Sequence, residues 1–300
     1  MLFDFTTTTH GKWILAGEHA VLRGHPALVF PITTYQLSLQ YSISEQPATL
    51  LYNNTHDDSF KSMFSKLMDC IARRLSIPVQ LCNKGHFTIL NTIPVGVGMG
   101  ASAALCVAFA RWCVWQKWIQ VEELLIFARE LEHLFHGQSS GLDVVGVAMQ
   151  HGVYFQQGNY VPLQLRWSPH LYLSFSGQSA NTLHCTSIVK QLLESQPIEA
   201  EFLDKKMSQA VQQARIALED PQTHSTALLQ LQQAIQQAAE CFQAWQLMPE
   251  PFIVHMQQLI AAGALAVKPT GSGCGLVCSL WANPPVNIAF DLIKLTINCQ

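Results

Sequence analysis

Ile93-Pro94-Val95-Gly96-Val97-Gly98-Met99-Gly100-Ala101-Ser102-Ala103-Ala104, followed at once by the apolar run Leu105 to Ala110, is the stretch that orders the reading of the whole chain. Phe87-Thr88-Ile89-Leu90 ahead of it has the composition of a strand, and the Ala- and Leu-rich run behind it that of a helix. Glycines at 96, 98 and 100 let the backbone take positive φ and come close to a ligand. A helix starting here offers unpaired N–H groups and the positive end of its dipole, a combination that favours an anion. A phosphate cradle is one reading of the stretch. A tight strand-to-helix turn with no ligand is the other.

Composition narrows the class. Three hundred residues give one or two domains. Hydrophobic residues make up 49% and charged ones 12%, with seven Trp, as in a well-packed globular enzyme and unlike a disordered chain. The net charge of -3 and the lack of a Lys/Arg cluster argue against nucleic acid or an anionic membrane surface as partner. An anionic ligand must then be held by local backbone and a few cations. Nine cysteines occur without a C-x-x-C pair, which fits a reducing compartment. The N-terminus has no basic n-region, and Arg111 interrupts the longest apolar helix. A cytoplasmic, soluble protein is expected.

Residues 3 to 16, 27 to 32 and 37 to 43 read as strands, 44 to 58 as a loop and 59 to 75 as a helix. Helices are expected over 101 to 118 and 121 to 136, and a strand pair over 153 to 155 and 161 to 165. A strand over 170 to 175 follows. Between Gln209 and Gln246, eleven glutamines surround an apolar stripe of Leu228, Leu231, Ile235, Ala238, Phe242 and Trp245, predicting one amphipathic helix. Its glutamines form a solvated face or a subunit contact, so a homodimer is one arrangement open to the chain. Strands over 264 to 267 and 276 to 280 and a last helix over 287 to 297 complete a β-α-α-α-β-β-α order. Segregated strands and helices predict an α+β fold in two lobes, 1–168 and 169–300.

Several chemistries can use such a loop. Gly96-Val97-Gly98-Met99-Gly100-Ala101 fits the dinucleotide pattern G-x-G-x-x-A. That motif needs a second parallel strand ending in an acid, whereas residues 121 to 136 have helical spacing. No G-x-x-x-x-G-K-[ST] occurs and no Lys lies in the loop, so a cation must come from elsewhere in the sequence. Glu132 ends a helix. Asp143 follows the small-residue turn Gly137-Gln138-Ser139-Ser140-Gly141 and leads into apolar Val144 to Met149, where it is either a helix cap or a functional carboxylate. His133 and His136 beside Glu132 form no H-E-x-x-H motif, and surface or capping roles are expected for them. Lys12, near glycine turns, reads on its own as a surface lysine.

Taken together these pieces resemble the GHMP kinase superfamily. Gly11-Lys12-Trp13-Ile14-Leu15-Ala16-Gly17-Glu18-His19-Ala20-Val21-Leu22-Arg23-Gly24-His25-Pro26-Ala27-Leu28 is similar to its first motif, Pro94 to Ala104 to its second, and Lys268-Pro269-Thr270-Gly271-Ser272-Gly273-Cys274-Gly275 to its third. Within the superfamily, the first motif and the Glu132 to Asp143 segment most resemble the mevalonate kinase branch. The resemblance implies a two-lobed fold: an N-terminal ATP-binding lobe with a mixed sheet, and a ferredoxin-like α+β C-terminal lobe that closes the site with the third motif. It implies ATP and Mg²⁺ as cofactors and a small alcohol, mevalonate, as substrate. Ser102 and Glu132 would hold Mg²⁺. The backbone of Pro94, Gly96, Gly98, Gly100, Ala101, Ser102 and Ala103 would cradle the triphosphate, with Thr270, Gly271, Ser272 and Gly273 closing on it. Asp143 would accept the proton of the substrate hydroxyl and Lys12 would stabilise charge on the phosphoryl group, while Glu18, His19 and Ser140 would contact the substrate. A phosphomevalonate kinase, another small-molecule kinase of the superfamily and a non-catalytic nucleotide-binding relative are the alternatives.

The sequence also departs from the pattern. The usual G-L-G-S-S is Gly98-Met99-Gly100-Ala101-Ser102 here, one hydroxyl short, and Cys274 and Leu276 replace frequent glycines. Relatives often carry basic residues where this chain has Ser176-Gly177-Gln178-Ser179-Ala180-Asn181-Thr182, which favours an unphosphorylated acceptor.

Overall fold

β-Branched and apolar residues at alternating positions favour extended chain on both sides of the turn at residues 17–26. In the computed structural model they form β1 (Phe5–Ala16) and a 21-residue β2 (Ala27–Pro47), which pair with each other. The structure describes residues 3–53, 58–137, 139–177, 182–221, 223–273 and 275–297, with side chains at all of these except 58–60, 136, 182 and 183. Two units are distinguished. The first comprises Met1–Gly11, Thr33–Ile93 and Gly100–Ala148, the second Lys12–Ile32, Pro94–Met99 and Met149–Gln300.

In the first unit β2 pairs antiparallel with β4 (Lys84–Asn91), matching Leu39 with Ile89 and Tyr41 with Phe87. β3 (Thr49–Tyr52) adds in parallel to β4, Leu50 beside Phe87. α1 (Asp58–Leu75) brings Phe64, Leu67, Met68 and Ile71 to the core at helical spacing, and the short α2 (Val79–Cys82) follows. The Phe87 ring lies 5.1 Å from Phe64 and 5.2 Å from Trp112. Trp112 belongs to α3 (Ala101–Trp115), which is buried almost all round and packs against α4 (Leu124–His136) and α5 (Leu142–Ala148).

In the second unit β5 (Val153–Gln156) pairs with Ala27–Val29 at the start of β2 and with β6 (Asn159–Pro162). Gln157 and Gly158, both at positive φ, make the two-residue turn of that hairpin. A separate antiparallel sheet has the order β10-β7-β9-β8, with β7 (His170–Phe175), β8 (Ala266–Thr270), β9 (Leu276–Trp281) and β10 (Ile293–Leu295). Between β7 and β8 run α6 (Thr182–Ser195), α7 (Pro197–Glu219), α8 (His224–Ala244) and α9 (Glu250–Ala261). α8 packs on both α7 and β8. Phe252, Met256 and Leu259 of α9 join Tyr172, Val277 and Trp281 in one core. Among the described residues no helix is long and apolar enough to cross a membrane.

The fold is α+β, as the segregation of strands and helices predicts, with local corrections. The stretch expected as a loop over 44 to 58 holds the end of β2 and all of β3, four residues with only Leu50 buried and too short to show a period. The single glutamine-rich helix is two. Asp220 is extended ahead of Pro221, which disfavours helix in the residue before it, and Thr223 restarts the chain by accepting from Thr226 N at 3.3 Å. The expected last helix is replaced by β10, whose Ile293 and Leu295 lie on one strand face at period two. Four helices rather than three separate β7 from β8.

Candidate active site

Gly17, at φ 108, ends β1 where no side chain fits: a Cβ there would lie 2.4 Å from Ala27 Cα. The turn beyond it, with Glu18 and His19, lies in the second unit, where residues 12–28 of the first motif, the third motif and residues 94–99 of the second are tied together. Lys12 N donates to Met99 O at 2.9 Å. Ile14 is gripped on both sides by β8: Thr270 Oγ1 accepts from its N–H at 3.0 Å and donates to its carbonyl at 2.9 Å. Lys268 Nζ donates to Ile14 O at 3.4 Å and to Glu18 Oε1 at 2.5 Å. Gly98 and Gly271, both at positive φ, pass so closely that a Cβ on Gly271 would sit 3.4 Å from Gly98 O. Lys12, which in isolation reads as a surface lysine, is 2% exposed, because β1 beyond Gly11 runs through the core.

His19 is 6% exposed, with its Nε2 3.0 Å from Ser272 O. A carbonyl only accepts, so Nε2 carries the proton and Nδ1 presents a lone pair. Phe242 of α8 and Trp245, the residue just after that helix, meet the ring edge-on at 5.8 and 5.4 Å. Burial pushes the imidazole pKa down to about 4, with Arg23 and Lys268 acting the same way against the Ser272 carbonyl and Asp204. The turn is tied to α7 by three contacts. Arg23 makes a two-pronged ion pair with Asp204, 2.5 Å on each arm, His25 Nδ1 lies 2.8 Å from Ser208 Oγ, and Gly17 N donates to Met207 Sδ at 3.2 Å.

The depressed His19 value predicts a pH dependence. Between pH 6.5 and 4 the unfolded chain protonates this residue and the folded chain does not, so stability falls as pH drops through that window, by about 3 kcal/mol. His19→Gln removes the proton site. Urea unfolding at pH 7 and pH 4 is expected to show a smaller acid loss for the variant than for the native chain; equal losses contradict it.

In the first unit Gly100, at φ 80, precedes α3, so the N–H groups of the first turn, Ala101 to Ala103, have no intrahelical acceptor. Ser102 lies on that turn and is half-buried. α4 returns alongside α3. The Glu132 carboxylate, 1% exposed near the end of α4, lies close enough to Cys106, one turn beyond Ser102, to add to the burial that raises its thiol pKa. Ser139 donates to Glu132 Oε2 and accepts from Gly141 N at 3.1 Å, joining α4 to the start of α5. Arg129 Nε holds the Ser139 carbonyl at 2.9 Å. Ser140 Oγ accepts from Leu142 N at 3.2 Å, capping α5, and Asp143 stands half-buried in the first turn of that helix.

The structure thus brings Lys12, Glu18, His19, Pro94, Gly96, Gly98, Thr270, Gly271, Ser272 and Gly273 into the second unit, and Gly100, Ala101, Ser102, Ala103, Glu132, Ser140 and Asp143 into the first. Residues 178–181 of the 176–182 stretch, Cys274 and the side chain of His136 lie outside the described residues. Sequence reasoning did not single out Ser139, Lys268 or the Arg23–Asp204 pair. Two adjacent serines give no means of choosing between them, and partners 181 and 250 residues apart follow no spacing rule.

Residues 62–151 match the family model of the GHMP kinases N terminal domain. Over 284 residues the chain is 24% identical to a mevalonate kinase of Thermococcus onnurineus (strain NA1), spanning 88% of this chain and 85% of that protein. Among solved structures, L. major mevalonate kinase in complex with R-mevalonate aligns with a TM-score of 0.73 at 22% identity, over 93% of this chain and 88% of that one. Streptococcus pneumoniae phosphomevalonate kinase in complex with phosphomevalonate and AMPPNP aligns with a TM-score of 0.74 at 15% identity, over 93% and 92%. With three ordered motifs, a family model matching residues 62–151 and relatives at 24% identity across most of its length, this chain is similar to the GHMP kinases and shares their fold.

Proposed function

We propose that this chain is an ATP-dependent kinase that phosphorylates the primary hydroxyl of mevalonate, giving 5-phosphomevalonate and ADP. The observation that carries the reading is the knot in the second unit, where Lys12 is buried on a strand bonded to both Met99 and Thr270. A lysine held that way beside glycines with bare backbone suits a phosphoryl group better than solvent. Asp143 accepts the hydroxyl proton as the oxygen attacks, and Lys12 supplies positive charge to the transferring group. Backbone N–H groups over 94–104 take the triphosphate, and Thr270 to Gly273 close on it. Glu18, His19 and Ser140 contact the acceptor. In this reading residues 1–168 supply the phosphate loop and the base, and 169–300 the third motif.

Mg²⁺ fits the donor set. Among the described residues no three His, Cys, Asp or Glu gather as a protein-only metal cage. Ser102 and Glu132 offer one hydroxyl and one carboxylate, hard oxygens that leave room for water and phosphate, as Mg²⁺ prefers. Ser139 keeps that carboxylate oriented. When bound, the ion would offset charge on the phosphates. The described cysteines are unpaired and buried, in keeping with reaction in the cytoplasm.

Purified protein with Mg·ATP, tested against mevalonate, phosphomevalonate, galactose and homoserine in a coupled ADP assay, is expected to turn over with mevalonate above all. Preference for phosphomevalonate would favour the alternative kinase. ADP release at background with every acceptor would favour a non-catalytic relative.

A further inference from the structure

Glu18 is joined to Lys268 in a buried ion pair, and the proposed reaction gives Lys268 no role of its own. Both side chains are shut away from solvent, at 2% and 0% exposure. Lys268 Nζ is fixed from three directions, by Glu18 Oε1, by Ile14 O and by the face of the Phe242 ring, 5.3 Å away. The other carboxylate oxygen, Glu18 Oε2, has no hydrogen-bond partner among the described residues. The buried carboxylate is therefore compensated chiefly through one oxygen and one lysine. An ion pair kept for stability alone would fill both oxygens, since a bare buried acceptor is costly. Position, however, is what this pair delivers. Lys268 touches the carbonyl of Ile14, two residues from Lys12 on the same strand face, while Thr270 holds the same residue from the same strand.

We propose that Lys268 is a positioning residue: paired with Glu18 and bonded to Ile14, it fixes the strand that carries Lys12 and the turn that carries His19. The proposal rests on the kinase reading for its kinetic arm only. The charged and titratable groups facing Glu18 are Lys268 from β8, Lys12 from β1, and the thiols Cys241 from α8 and Cys278 from β9, both pushed up to about 12 by burial and so uncharged at neutral pH. Burial raises the Glu18 pKa and Lys268 is the strongest force lowering it. Without Lys268 the carboxyl takes up a proton at higher pH.

Lys268→Met tests this in two ways. Its kcat/KM is expected to fall by about 100-fold at pH 7, the usual scale for a displaced reacting group, and its acid limb to move to higher pH than in the native chain. Its melting temperature, measured without substrate, is expected to decline relative to the native chain as pH rises from 5 to 8, because the folded variant holds a proton that the unfolded one has released. The variant Lys268→Met, Glu18→Gln, with neither charge, should lose that pH dependence and melt higher than Lys268→Met. A melting curve offset equally at every pH, with an unmoved activity profile, would overturn the proposal. The expected pH-dependent melting without turnover in the native chain would sink the kinase reading while leaving the electrostatic arm standing.

Discussion

Asp143→Asn is expected to lower kcat by about 1,000-fold while the affinity for ATP stays within a few-fold of native, because general-base transfer contributes about 10²–10⁴ in rate. Asp143 sits in the first turn of α5, where a carboxylate also has a structural use: a negative charge there gains about 0.3–1 kcal/mol from the helix dipole. The two roles separate cleanly with this substitution. Asparagine caps and hydrogen-bonds nearly as well as aspartate, and Ser140 already caps Leu142 N, so the variant should melt within a few degrees of the native chain. A large loss of melting temperature with kcat nearly intact would make Asp143 a structural residue. Single-turnover kinetics and ATP titration on one preparation give both readouts.

Lys12→Met is expected to cost about 3–4 kcal/mol at the transition state, a fall in kcat of several hundred-fold, because a preorganised charge facing developing charge is lost. The fold should tolerate the change. Lys12 is 2% exposed, methionine matches the length of its aliphatic stem, and its backbone bond to Met99 does not involve the side chain. The Lys12 charge also favours the ionised form of the buried Glu18 carboxyl, so the melting temperature is expected to fall as well, but far less than the rate. A loss of rate out of all proportion to the loss of stability is hard to obtain from a lysine that merely packs. A rate within threefold of native would remove Lys12 from the reaction.

What could be read in the sequence follows from the range of the forces involved. Local signals were legible: alternation in Leu37, Leu39 and Tyr41, helical spacing in Phe64, Leu67, Met68 and Ile71, and the glycines at 96, 98 and 100 that take positive φ. Signals diluted by length or by context were not. β3 is four residues long, β10 takes its identity from pairing with β7, and the break between α7 and α8 hangs on one extended residue before a proline. The candidate site shows the same division. Lys12, Glu18 and Asp143 were nameable because each lies in a motif, but the burial of Lys12, the ion pair to Lys268 and the bond from Ser139 to Glu132 depend on partners that the fold brings together. His19 likewise read as a polar residue in a motif. Phe242 and Trp245, more than 220 residues away, are what enclose it and keep it neutral.

Transfer of phosphate from ATP to the primary hydroxyl of mevalonate is followed directly by phosphorus NMR of the native chain incubated with Mg·ATP and mevalonate. The γ-phosphate signal is expected to be lost as a phosphomonoester coupled to the protons of the primary carbon grows, one for each ADP formed. Release of inorganic phosphate alone, or no change beyond a control without mevalonate, would contradict it.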